Sequence, residues 1–154
     1  MSKRPPTAYG RASWLDQSPT HLVHRMAQRV GELFDAQTKE HDLTPRQVAV
    51  LTTVAENEGL SQTGIVDCTG IDRSTLADLV RRLKLKGLLE RRRTKEDARA
   101  YAVKLTDQGR RVLRTIEPLA KKVDEHVLAA LPAKDRQNFI RTLQSIVATL
   151  QPRQ

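Results

Sequence analysis

Residues 60–93 carry three patterns in succession: Leu60-Ser61-Gln62-Thr63-Gly64-Ile65-Val66-Asp67-Cys68-Thr69-Gly70, then Ile71-Asp72-Arg73-Ser74-Thr75-Leu76-Ala77-Asp78-Leu79-Val80-Arg81-Arg82-Leu83-Lys84-Leu85-Lys86-Gly87, then Leu88-Leu89-Glu90-Arg91-Arg92-Arg93. In the first, Leu60 precedes a capping Ser61 and Ile65 follows the cap by four. This hydrophobic-staple spacing predicts a short helix that stops at Gly70. The same grammar returns at once with Ile71, cap Asp72 and Leu76, so a second helix follows after a tight turn. Leu76, Leu79, Val80 and Leu83 give it one apolar stripe up to Lys86-Gly87. After Gly87 the period becomes extended, and a polar stretch Thr94-Lys95-Glu96-Asp97-Ala98-Arg99 leads into Ala100-Tyr101-Ala102-Val103-Lys104-Leu105, two short strands around a charged tip.

Upstream, Leu43-Thr44-Pro45-Arg46-Gln47-Val48 starts another helix: Thr44 caps, Pro45 opens the first turn, Gln47 closes a capping box and Leu43 staples onto Val48. Ser18-Pro19 begins an earlier one, with Leu22, Met26, Val30, Leu33 and Gln37 at helical spacing up to about Thr38. Downstream, Thr106 caps a long helix striped by Val112, Leu113, Ile116, Leu119, Val123, Val127 and Leu131, with Pro118 expected to kink it. A last helix from about Pro132 carries Phe139, Leu143, Ile146 and Leu150. The fold class expected is therefore mainly α with a small β-hairpin wing: a winged helix-turn-helix flanked by N- and C-terminal helices. Residues 1–17 read as a flexible basic arm, 18–42 as a dimerisation helix, 43–105 as the winged core and 106–151 as C-terminal dimerisation helices.

Composition narrows the function. The 154 residues hold 27 Lys and Arg against 18 Asp and Glu, a net +9, with 3% aromatics and 38% hydrophobic residues. Residues 72–104 contain eleven of those cations and five of the acids, so +6 of the excess sits in the second helix and the hairpin. A membrane-binding basic helix would set its cations opposite a broad apolar face. Here much of the charge lies on a hairpin, and nucleic acid is the better partner. No apolar run reaches the roughly 20 residues of a membrane span and the N-terminus lacks a secretion signal, which points to the cytoplasm and to no membrane partner. There is no Gly-rich phosphate loop, nucleophile elbow or metal-ligand motif, so an enzyme is not expected, nor a cofactor. Cys68 is the only cysteine. Beside Ile65 it reads as a small core residue, with a redox-sensing thiol as the alternative.

With Leu76, Leu79, Val80 and Leu83 turned inward, the second helix presents Arg73, Ser74, Thr75, Ala77, Asp78, Arg81 and Arg82 outward. Arg73 can fork onto guanine O6 and N7, Ser74 and Thr75 can donate to bases or phosphates, and Asp78 can accept from cytosine N4 or orient an arginine. Arg81 and Arg82 lie farther along, toward the phosphates. His21 and His24, three apart on the first helix, lack further ligands of metal spacing.

The pieces LTPRQVAVLTTV, LSQTGIVDCTGIDRSTLADLVRRLKLKGLLERR, EDARAY and VKLTDQG, from Leu43 to Gly109, resemble the core of the MarR family of bacterial regulators. The resemblance implies a recognition helix over 72–86, with Ser61 and Gln62 near phosphates and Arg99 in a minor groove steadied by Asp97. Lys95 adds a cation at the hairpin tip. Thr94, Glu96 and Ala98 stand where family members often carry Asp, Arg and Arg, so this tip has fewer cations than usual. The resemblance further implies an intertwined homodimer on a palindromic duplex, repression, and release by a small, often aromatic, acid or its coenzyme A thioester. Trp14, His21, His24, Arg25 and Met26 lie where such a ligand pocket opens. The rival reading is a sequence-tolerant, chromatin-type nucleic-acid-binding protein.

Overall fold

The computed structural model describes residues 13–95 and 101–150. After a single 3-10 turn at Trp14–Gln17, the elements run α1 (Pro19–Thr38), α2 (Pro45–Glu56), α3 (Gln62–Thr69), α4 (Arg73–Leu85), β1 (Leu89–Arg93), β2 (Tyr101–Leu105), α5 (Asp107–Ala129) and α6 (Ala133–Leu150). The anticipated caps hold the helix starts. Thr44 and Gln47 close a reciprocal capping box on α2, Ser61 accepts from the Gly64 N–H at 3.1 Å, and Thr106 accepts from the Gly109 N–H at 2.9 Å. Each satisfies a backbone donor that the first helical turn leaves without a partner. Gly70 closes α3 at φ 68, a left-handed conformation that glycine adopts without steric cost.

The core forms where α2, α3, α4 and the hairpin meet α5. Leu51, Ile65, Leu76, Val80, Leu83, Val103 and Ile116 are fully buried there. The strands pair antiparallel, Leu89 opposite Leu105 and Arg93 opposite Tyr101. Beyond this pairing, the Val103 N–H donates to the Leu60 carbonyl at 2.9 Å, which stitches β2 to the residue just ahead of α3. The hairpin base is also sewn to α5. Thr106 donates its backbone N–H to Leu88 O at 3.1 Å and its hydroxyl to Gly87 O at 2.6 Å, and Gly109 comes so close that a Cβ there would lie 2.1 Å from Leu88 O.

Helix α1 packs along α5 within the same chain, with Phe34 buried and Val30 and Leu33 against the core, so part of the flanking apolar surface is satisfied intramolecularly. The rest is not. Helix α6 buries no residue, and Leu143, Ile146, Val147 and Leu150 are exposed, as are Leu22, Val23 and Met26 on α1.

Two local expectations change. Cys68 is exposed rather than a core residue. Helix α3 turns Ile65 and Val66 toward the core and spends its next inward position on Thr69, whose hydroxyl donates to Ile65 O at 2.7 Å, leaving Cys68 on the open side. Leu88 precedes the strand instead of opening it, since its carbonyl is committed to Thr106. Pro118 lies inside α5, which is continuous from Asp107 to Ala129. No helix among the described residues is long and apolar enough to cross a membrane.

Candidate nucleic-acid interface

The candidate reading face is built on α4. Asp72, its N-cap, accepts from the Thr75 N–H at 2.9 Å and the Ser74 hydroxyl at 2.8 Å, and these bonds, Thr75 first, hold its carboxyl well below the usual carboxylate range. The Ser74 hydroxyl hydrogen is therefore engaged by the cap, and its oxygen remains to accept. Arg73 is exposed with no partner among the described residues. On the outward stripe, Asp78 sits between two guanidiniums: Oδ1 accepts from Arg81 Nη2 at 2.8 Å and Oδ2 from Arg82 Nε at 2.7 Å. Leu85 continues that stripe, 76% exposed. At the C-cap, Lys86 Nζ donates to the carboxylate of Asp42 at 2.8 Å and to its carbonyl. This ties the end of α4 to the loop after α1, where Asp42 sits at φ 46.

The hairpin sorts its three arginines by face, because side chains alternate along a strand. Arg92 pairs with Glu90 at 2.6 Å on one side. On the other, Arg91 donates to the Gln62 side chain at the start of α3, and Arg93 lies over the Tyr101 ring at 5.9 Å from its centroid. Arg91 and Arg93 were not singled out from the sequence; strand alternation was the signal that marks them as one face. Of the other candidates, Ser61 is exposed as the α3 cap, Gln62 is half-buried under Arg91, and Lys95 is exposed just beyond β1. Asp97 and Arg99 lie outside the described residues.

Two clefts open between α1 and α2. One, about 390 Å³, reaches α5 and is lined by Phe34, Val48, Thr52, Thr53, Val123 and Asp124 among others. The second, about 610 Å³, is lined by Val23, Met26, Val30, Gly31, Pro45 and Arg46 among others. Of the five ligand candidates, Met26 lines the larger cleft. Trp14, His21, His24 and Arg25 line neither, and Trp14 is 76% exposed on its 3-10 turn. Among the described residues no three His, Cys, Asp or Glu side chains gather in a metal-binding group.

Residues 41–100 match the sequence model of the MarR family. The transcriptional regulator HosA of Escherichia coli O157:H7 is 30% identical over 108 residues, 70% of this chain and 80% of HosA. The chain belongs to the MarR family. Solved MarR-like structures superpose over nearly its whole length. The PcaV transcriptional regulator of Streptomyces coelicolor, in complex with its natural ligand, has a TM-score of 0.82 and 31% identity, covering 90% of this chain and 97% of PcaV. The repressor CouR, bound to a 23-mer DNA duplex, has a TM-score of 0.78 and 28% identity, covering 92% and 99%. CouR bound to p-coumaroyl-CoA has a TM-score of 0.80 and 26% identity, covering 90% and 98%. The structural match covers nine-tenths of this MarR-family chain and so extends beyond the winged core.

Proposed function

We propose that this MarR-family chain is a cytoplasmic, sequence-specific transcriptional regulator that binds a palindromic duplex as a homodimer and represses until a small acid releases it. The observation that carries the reading is the division of α4. Leu76, Val80 and Leu83 are fully buried, while the opposite face offers Ser74, Asp78, Arg81 and Arg82, with Arg73 exposed in the first turn, beside a hairpin whose Arg91 and Arg93 share one face. A helix so divided fits a major groove, with Arg73 forked on a guanine and the arginines farther along near phosphates. Lys95 and the tip residues Asp97 and Arg99 extend the contact toward the adjacent minor groove. CouR, of similar fold, has been captured on a duplex.

Two copies supply what one short helix cannot, since twofold symmetry brings two reading helices onto half-sites about 34 Å apart. The exposed leucines, isoleucine and valines of α6 and the start of α1 are the surface such a pair would cover. The effector reading places the acid in the clefts between α1, α2 and α5. Their walls are largely apolar, and Arg46 stands at the rim to meet a carboxylate. CouR's complex with p-coumaroyl-CoA supports an aromatic acid or its thioester as the class to test.

The deciding measurement is a titration on a duplex selected from a random pool and on a scrambled duplex of equal length. A regulator prefers the first by at least ~10³ at physiological salt. Equal affinities would make the chain a sequence-tolerant nucleic-acid-binding protein instead.

A further inference from the structure

An anion at the centre of a surface meant for DNA calls for a reason. Ser74, Asp78, Arg81 and Leu85 follow one another at helical spacing along the outermost line of α4, and Asp78 is the carboxylate on that line. It is not left to face the duplex alone. Its two oxygens are divided between the two arginines one turn on, Oδ1 to Arg81 Nη2 at 2.8 Å and Oδ2 to Arg82 Nε at 2.7 Å. All three side chains are substantially exposed, 43% for Asp78 and 63% and 60% for its partners. Exposed ion pairs of this kind contribute little to fold stability, so the triad has scant structural purpose. What it does change is the freedom of two cations at the point where base edges and phosphates compete for them.

We infer that Asp78 is a specificity-determining residue: it holds Arg81 and Arg82 as a paired unit on the reading face and frees them for the phosphates only where a matching base edge takes over its carboxylate. The inference rests on α4 entering a groove, as proposed above. Unspecific affinity comes from cations that displace counterions from the phosphate backbone, wherever the duplex lies. A carboxylate that occupies one edge of each guanidinium removes part of that affinity for every sequence alike. It also repels the phosphates it would approach in a misregistered complex. At the right sequence the cost is recovered, because a cytosine or adenine amino group beside the stripe can donate to the carboxylate in place of a guanidinium N–H. The lowered pKa of Asp78, set chiefly by Arg81, keeps this group ionised throughout the neutral range.

The test is counter-intuitive for a DNA-binding surface. Asp78→Asn binds a scrambled duplex about five- to tenfold more tightly at 0.1 M salt, and its log affinity falls more steeply with log salt by about 0.9 for each cation released per protomer. Affinity for the duplex selected by the wild-type protein rises less or falls, so the preference ratio drops by about tenfold. Asp78→Glu restores both slope and ratio, and Asp78→Asn combined with Arg81→Gln returns the slope to the wild-type value. Helix content and melting temperature stay unchanged in all three, which separates positioning from folding. A wild-type protein that prefers no sequence would sink the proposed function itself. If the wild type is selective but Asp78→Asn leaves the scrambled-duplex affinity and salt slope unmoved, the role assigned to Asp78 alone is wrong.

Discussion

Asp72 sets the first turn of the reading helix, and its chemistry makes that turn acid-sensitive. Its folded carboxyl lies far below its unfolded value of 3.8 because Thr75 and Ser74 donate to the charged form. A group depressed in this way stabilises the fold above about pH 3.8 and loses that contribution as pH falls toward the folded value. In acid unfolding curves, Asp72→Asn should therefore be less stable than the wild type at neutral pH, with the gap closing as the pH drops below 3.8. A gap constant from neutral pH to pH 2 would show that the charge on the cap is irrelevant. Arg73, next in the chain and without a partner among the described residues, is assigned by the proposed function to recognition rather than to folding. Arg73→Ala should cost about 1–3 kcal/mol on the selected duplex and far less on a scrambled one. Equal losses on both would mean that Arg73 touches phosphate alone.

Between elements, the tightest joint is Gly109 against Leu88. A methyl group there would sit 2.1 Å from a backbone carbonyl, which cannot swing aside as a side-chain tip can. Gly109→Ala should destabilise by roughly 1–3 kcal/mol, read as a lower melting temperature, and should loosen the hairpin from α5. The hairpin's own arginines separate by face. Arg91→Ala should flatten the salt dependence of duplex binding by about 0.9 per protomer, whereas Arg92→Ala should change it less because Glu90 already neutralises Arg92. Equal slopes for the two would overturn the sorting. These joints also explain what the sequence revealed and what it hid. Thr44 to Gln47, Ser61 to Gly64, Asp72 to Thr75 and Thr106 to Gly109 are bonds across three residues, so the caps and helix starts were readable from spacing alone. Arg91 to Gln62 spans 29 residues and Lys86 to Asp42 spans 44, and neither follows from any local pattern. Cys68 was misplaced for the same reason: one side of an eight-residue helix is decided by how it docks, not by its own periodicity.

At the scale of the molecule, the chain satisfies its winged lobe and leaves its ends unfinished. Helix α6 has an apolar line and buries nothing. A stable pair of chains needs about 1,000 Å² or more of total contact, and α6 with the start of α1 is the surface proposed for it. Leu143→Glu together with Ile146→Glu should convert a dimer to monomers in sedimentation, keep the helix content, and abolish binding to the selected duplex while leaving weak binding to scrambled DNA. Dimers persisting in that variant would place the interface elsewhere.

The bond from Val103 to Leu60 reaches further than its single 2.9 Å contact implies. It welds the wing to the helix-turn-helix from one side while Thr106 and Gly109 clamp it from the other. The hairpin base and the reading helix thus travel together, like two prongs forged on one handle. In the proposed dimer, a signal arriving through α1 or α5 would then move hairpin base and helix as one body, and act on the distance and tilt between the two copies.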